Sequence, residues 1–239
     1  MSIIERINCS NDVKSLNRDE LAVLCRELRE FEIESIAKTG GHLASNLGTI
    51  ELTIALHRVY DTQSDRLVFD VGHQSYTHKI ITGRRDAFAT LRQYGGLSGF
   101  PKPHEAEDDA FIAGHASNSV SVALGMARAR TLKNEDYSIV AVIGDGALTG
   151  GLAYEGLSDA AASREPVVII LNDNNMSINE NVGGISKLLQ MMRVRPGYIS
   201  FKKWFRAAAK RLPRIYGACH KTKEWLKSWM LPDNIFHWT

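Results

Sequence analysis

The chain of 239 residues carries 29 Lys and Arg against 27 Asp and Glu, with 44% hydrophobic and 23% charged residues. Those proportions belong to a globular protein long enough to bury a sizeable core, and they exclude collagen-like, disordered and disulfide-framework readings. Three cysteines, Cys9, Cys25 and Cys219, stand far apart and odd in number, as suits reduced thiols in a cytoplasm. The first residues, MSIIERINCSND, place acids where a signal peptide needs an apolar core, and runs such as Val167 to Leu171 are too short to span a bilayer. A cytoplasmic location with no membrane partner is the expectation.

In chain order, residues 19 to 39 read as a helix, with Leu21, Leu24, Cys25, Leu28 and Phe31 at helical spacing and Gly40-Gly41 as the stop. Thr49 to Val59 reads as a second helix. Leu67 to Val71 is a short apolar strand ended by Gly72, and Ser119 to Arg130 is a helix rich in small residues, suited to close packing. Ser138 to Ile143 is an apolar strand, Gly144-Asp145-Gly146 turns it, and Gly151 to Ala162 is helical. Pro166 then leads into a strand from Val167 to Leu171. Strand, helix and strand with short connections predict a parallel sheet, and the continuously apolar strands predict cover on both faces. The fold class is α/β, a doubly wound parallel sheet over residues 1–190 followed by a basic helical arm over 191–239.

The near-neutral total conceals an asymmetry. Between Arg193 and Ser228 lie eleven basic residues and one acid, Glu224, so the rest of the chain is mildly acidic. Trp204, Phe205, Tyr216, Trp225 and Trp229 are interleaved with those cations. The mixture is compatible with nucleic acid or an anionic membrane surface. An amphipathic arm with its apolar residues on the body and its lysines in water is the favoured account, and neither nucleic acid nor membrane is the expected partner.

Ligands of open parallel sheets bind beyond the carboxyl ends of the strands. Two such ends are Gly144-Asp145-Gly146-Ala147 and Asn172-Asp173-Asn174-Asn175. A dinucleotide loop is disfavoured, because the third glycine, Gly150, is misplaced and the Asp145 carboxylate would repel a pyrophosphate. A divalent cation resolves the conflict. Mg²⁺ takes oxygen ligands and is shared between one or two protein groups and substrate phosphates. Asp145 supplies charge and the Asn174 amide oxygen a neutral ligand. Gly146 lets the backbone approach a phosphate, towards which the helix from Gly151 directs its N–H groups.

The 27 residues between Gly146 and Asn174 match the spacing of the thiamine-diphosphate motif, in which GDG is followed by NN. The segments GGHLASNLGTIELTIALHRVYD, FDVGHQSYTHKIITGRRD, GGLSGFPK, AGHASNSVSVALGMA and LNDNNMSINENVGGISK together resemble the 1-deoxy-D-xylulose-5-phosphate synthase family, more closely than transketolases, over most of residues 15 to 236. The resemblance implies thiamine diphosphate and Mg²⁺ as cofactors. It also implies condensation of pyruvate with glyceraldehyde 3-phosphate, the first step of non-mevalonate isoprenoid precursor synthesis, which also serves thiamine and pyridoxal.

On the same ground, Asp145, Asn174 and the main-chain carbonyl of Met176 are the implied metal ligands. Gly144, Gly146, Ala147, Gly114, His115, Ala116 and His73 would meet the diphosphate. His42 and His73 are the implied catalytic histidines, His42 near the reactive carbon of the cofactor. His78 and Lys79 to Arg85 also match the family, with a structural or a phosphate-attracting role equally open. His57, His104, His220 and His237 carry no motif and read as structural.

Departures are Ala116 in a GHAS form and the segment PKPHEAEDD, with Pro103 and Asp109 at less typical positions, where the family usually has an arginine soon after GGL-x-x-FP. The family continues into a pyrimidine-binding domain with the glutamate that activates the cofactor and much of the acceptor-phosphate site, and no residue of this chain is nominated for those roles. The expectation is weak cofactor binding and no turnover by the chain alone. A second chain carrying the pyrimidine-binding domain, or a homodimer, is the expected partner. The rival readings are the first subunit of a split transketolase and a non-catalytic remnant acting in interactions.

Overall fold

The computed structural model describes residues 2–173. Asn17 opens the first long helix, α1 (Arg18–Thr39), through a capping box. Its Oδ1 accepts from the backbone N–H groups of Asp19 and Glu20 at 3.0 Å each, and Glu20 Oε2 accepts from the N–H of Asn17 at 2.9 Å. Gly40 ends the helix with φ of 74°. Leu24, Leu28, Glu32 and Ile36 form its buried stripe and pack towards α2 (Leu43–Leu47) and α3 (Ile50–Val59). Leu24, Leu28 and Ile36 join Ile50, Ile54, Tyr76, Ile80 and Phe88 in the largest apolar cluster. Glu32 is the polar exception in that stripe. Its Oε1 accepts from the Thr77 hydroxyl at 2.6 Å, and burial pushes its carboxyl up to about 7.

The predicted parallel sheet is present. Strands β1 (Arg66–Phe69), β2 (Ile139–Gly144) and β3 (Val168–Asn172) lie in the order β1-β2-β3, all parallel, with Val68 opposite Ala141 and Gly144 opposite Asn172. Helix α5 (Ser119–Lys133) connects β1 to β2, and α6 (Gly151–Ala162) connects β2 to β3. Small residues let these layers close. Ala123 and Ala127 of α5 pack on Ile139 and Ala141, and a Cβ on Gly156 would stand 2.7 Å from Ser121 Oγ. β1 and β2 are buried as predicted, but β3 is more open, with Val168 44% and Leu171 36% exposed. Two-sided cover therefore holds for β1 and β2 and not for β3 among the described residues. No helix among the described residues is long and apolar enough to cross a membrane. The predicted basic arm lies outside them.

β1 stops at Phe69, two residues before the predicted end, because Asp70 turns its carboxylate towards α5 and Val71 takes φ of 60°. From there to α5 the chain is irregular, apart from α4 (Tyr76–Lys79) and single turns. Beside the apolar residues it gives to the main cluster, this stretch carries a buried ionic network. His57 Nε2 and His78 Nδ1 are 2.9 Å apart, and His78 Nε2 lies 2.9 Å from Asp109 Oδ1. Arg84 grips the same carboxylate at 2.7 and 2.8 Å, and Lys79 Nζ binds Glu105. Burial holds both imidazoles below their ordinary range, while Arg84 and His78 hold the Asp109 carboxyl well below the usual carboxylate range against its burial. Neutral imidazoles fix the tautomers: His78 donates to Asp109 and accepts from His57.

Candidate functional site

The candidate residues collect where the chain leaves the carboxyl ends of β1 and β2. His42 stands at the N-terminus of α2, after the Gly40-Gly41 turn, and His73 follows β1 by four residues. Their rings meet edge to face with centroids 5.2 Å apart, and Phe100 lies 6.2 Å from His42. Asn46 fixes this pairing. Its amide nitrogen donates to the carbonyls of His42 and His73, both at 2.7 Å, and its Oδ1 accepts from the N–H of Tyr76 at 2.8 Å. One buried side chain thus ties together the two segments carrying the histidines, using all but one of its bonding positions.

Both imidazoles are held below their ordinary pKa. For His42 the causes are burial and the nearby Arg92 guanidinium. For His73 they are burial and then His42, partly offset by Asp70. Both rings are therefore neutral near pH 7, one nitrogen donating and the other accepting. His73 Nδ1 is buried with no hydrogen-bond partner among the described residues. A buried polar atom without a partner is costly, so this nitrogen is open to a hydrogen bond with a ligand atom.

The second half of the site is a pair of loops. Asp70 is buried, and its Oδ1 accepts from the N–H of Ser117 at 2.7 Å while its Oδ2 accepts from the N–H of Ser119 at 3.0 Å. It caps α5 from outside that helix and sets the path of Gly114-His115-Ala116. Ser117, at φ of 72°, donates its hydroxyl to the carbonyl of Ala147 at 2.7 Å. The Gly114-to-Ser117 loop is therefore joined to the Gly144-Asp145-Gly146-Ala147 turn. Gly150 leaves room for the joint, since a Cβ there would lie 2.2 Å from Ser117 Oγ. The Asp145 N–H donates to the carbonyl of Asn172 at 3.2 Å, which aligns the turn with the end of β3.

Gly72 is needed in the same way. At φ of 83°, its Cβ would meet Ala113 Cβ at 2.5 Å and Pro101 Cδ at 2.6 Å. Together with Val71 and Ser117, it makes a cluster of left-handed backbone around the site, the kind of strain held where a loop must take one shape.

The structure pairs the His42 and His73 rings, and links Ser117, which follows Gly114-His115-Ala116, to Ala147 of the glycine turn. Asn174 and Met176, the other implied metal ligands, lie outside the described residues. Among the described residues no group of three His, Cys, Asp or Glu is spaced to hold a metal, so Asp145 brings one carboxylate rather than a cage. That donor set suits Mg²⁺ shared with phosphate oxygens. His78 and Lys79 are fully buried and already paired, which favours the structural of the two alternatives for them. His57, which carries no motif, belongs to the same network. Sequence reasoning missed Asn46, Asp70 and Ser117. The available signal was a polar residue beside each histidine motif or ending an apolar strand.

Comparison with known proteins fits this geometry. A family profile described as 1-deoxy-D-xylulose-5-phosphate synthase matches residues 4–238. The protein of that name from Clostridium kluyveri is 52% identical over 227 residues, 95% of this chain and 36% of the relative. Those from Alkaliphilus oremlandii and Clostridium tetani are each 50% identical, over 96% and 99% of this chain and 38% and 39% of their own length. The chain thus spans somewhat over a third of the length of these relatives. With the family profile matching residues 4–238 and about half of its residues shared with these relatives along nearly its whole length, the chain belongs to the 1-deoxy-D-xylulose-5-phosphate synthase family.

Proposed function

We propose that this chain is the diphosphate- and Mg²⁺-binding part of a thiamine-diphosphate-dependent transferase that condenses pyruvate with glyceraldehyde 3-phosphate. The observation that carries this reading is the Ser117–Ala147 hydrogen bond, which joins the Gly114 loop to the Gly144-to-Ala147 turn, together with the His42–His73 pair, in which the buried His73 Nδ1 has no partner among the described residues. The names of the relatives support the synthase over a split transketolase.

In this reading Asp145, Asn174 and the carbonyl of Met176 hold the metal. Gly144, Gly146, Ala147, Gly114, His115 and Ala116 line the diphosphate. When bound, thiamine diphosphate supplies the electron sink that makes a carbonyl carbon nucleophilic. The work left to this chain is positioning and proton handling. His73, neutral, donates one ring hydrogen to a ligand oxygen or nitrogen while Asn46 holds its backbone. His42, also neutral, accepts or returns a proton at its bare ring nitrogen. Phe100 keeps the side of His42 apolar.

The finer fold reading is a doubly wound sheet of the thiamine-diphosphate-binding type over 1–190, with 191–239 as a basic helical arm. A second chain with a pyrimidine-binding domain, or a second copy of this chain, completes the site in the cytoplasm. Calorimetric titration of the purified chain with thiamine diphosphate tests the reading. The expected result is weak, Mg²⁺-dependent binding that Asp145→Ala abolishes without changing the circular dichroism spectrum. Equal binding by the variant, or formation of deoxyxylulose phosphate by the chain alone, refutes the proposal as stated.

A further inference from the structure

Tyr76, the first residue of α4, is fully buried and is the one polar side chain among the buried members of the largest apolar cluster. Its ring meets Phe88 edge to face with centroids 6.0 Å apart, and its N–H donates to Asn46 Oδ1 at 2.8 Å. Ring and backbone are both fixed in this way. The hydroxyl at the end of the ring is buried with no hydrogen-bond partner among the described residues. Phenylalanine would fill the same space without the cost of an unsatisfied hydroxyl. Rules of this kind are broken where function requires it.

The hydroxyl stands where two segments of the site come together. A Cβ on Gly41 would lie 2.9 Å from it and 3.2 Å from Cε2 of the ring, and a Cβ on Gly99 would lie 3.5 Å from it. Gly41 immediately precedes His42, and Gly99 immediately precedes Phe100, whose ring is 6.2 Å from that of His42. At φ of 152°, Gly41 lets the turn rest directly on the oxygen. Phe100 is also a wall of an open cavity of about 540 Å³ beside His42. Burial pushes the phenol up, and the backbone N–H of His42 is the largest influence in the other direction, without the geometry of a hydrogen bond.

We propose that Tyr76 is a positioning residue for the reaction: its hydroxyl is the fixed post against which the Gly40-Gly41-His42 turn and the Ser98-Gly99-Phe100 loop rest, and it sets the spacing of the His42 and Phe100 rings. The proposal rests on the functional reading above, in which the bare ring nitrogen of His42 handles a proton. A displacement of about 1 Å at such a group costs about a hundredfold in rate. Tyr76 touches neither substrate nor cofactor in this role. Its hydroxyl contributes the aim of His42 and not the strength of the fold.

The test is heteronuclear NMR of the full chain carrying Tyr76→Phe, with Tyr137→Phe, at the opposite end of the sheet ahead of β2, as the control. Thermal unfolding is expected to show Tyr76→Phe at least as stable as the parent. In the same variant the cross-peak between the His42 and Phe100 rings is lost and the His42 ring nitrogens shift, while the His115 ring signals stay in place. Gly41→Ala, which presses on the same contact from the turn, displaces the same His42 signals, and Tyr137→Phe leaves them unchanged. A Tyr76→Phe variant that is less stable than the parent, or does not fold, assigns the hydroxyl to the fold and overturns the proposal. A stable variant whose His42 and Phe100 signals match those of the parent overturns it as well. Thiamine diphosphate binding is read separately, at the amides of residues 144–147 of the parent. Its absence there refutes the proposed function, whereas unmoved His42 signals with that binding intact refute only the role of Tyr76.

Discussion

Asp70→Ala is the sharpest perturbation of the scaffold. Asp70 is 1% exposed and accepts two backbone N–H groups, from Ser117 at 2.7 Å and Ser119 at 3.0 Å. Alanine leaves both donors buried and without an acceptor, at about 1–3 kcal/mol each. Solvent reaches the neighbouring exposed Ala116, which puts the pair in the lower half of that range, about 3 kcal/mol in total. For a chain of this size that lowers the Tm by about 6–12 °C. Asp70→Asn keeps one acceptor but turns an amide N–H towards the other donor, so it recovers less than half of the loss. Chemical and thermal unfolding followed by circular dichroism gives both numbers. Because Asp70 sets the Gly114-to-Ser117 loop, thiamine diphosphate affinity falls with stability in both variants. A loss below about 1 kcal/mol, the worth of one ordinary hydrogen bond, or an asparagine variant as stable as the parent, refutes the argument that Asp70 clamps the loop.

Three further outcomes follow from other contacts. Asn46→Ala removes three hydrogen bonds that join the histidine segments. It is expected to destabilise by about 2–4 kcal/mol and to broaden the His42 and His73 ring signals in NMR, while Cys9→Ala, at an exposed position, does neither. Gly72→Ala forces both a left-handed backbone and overlap with Ala113 and Pro101; unfolding should show a loss of more than about 2 kcal/mol, and cofactor titration a matching fall in affinity.

Glu32 sets a pH dependence. Its folded pKa of about 7 lies above the ordinary 4.5, so the unfolded chain releases the proton first. The group leaves stability untouched below 4.5, erodes it as pH rises from 4.5 to 7, and holds that cost above 7. Glu32→Gln is therefore expected to gain up to about 3 kcal/mol over the parent at alkaline pH and nothing at acid pH, measured by urea unfolding across the range. A gain that is the same at all pH values places the effect elsewhere.

The elements legible in the sequence were those with a local cause. α1 follows its apolar spacing up to the Gly40 stop, β2 its apolar run, and α6 starts at Gly151 as the glycine turn indicates. The candidate site was legible wherever a motif carried it, at His42, His73 and the Gly144-to-Ala147 turn. What escaped was non-local. Asp70 and Ser119 are bonded across 49 positions, and Asn46 and Tyr76 across 30, so no window of sequence holds both partners. The stretch from 70 to 118 has neither a helical nor a strand period, because its shape is set by pairings such as Arg84 with Asp109. The openness of β3 was equally hidden, since an apolar run says that a strand wants cover and not how much it receives.

The charged web beneath that stretch also bears on how such a chain changes over time. His57, His78, Lys79, Arg84, Glu105 and Asp109 form a closed set in which each member neutralises or orients another. Losing Lys79, Arg84 or Asp109 strands a buried charge, at a cost of about 3–5 kcal/mol, so those three change together or not at all. Gln93, Tyr94 and Pro103, by contrast, are exposed on the loops that this set secures. They are free to drift singly, so the opening beside His42 can be re-lined while the frame that spaces the histidines stays the same.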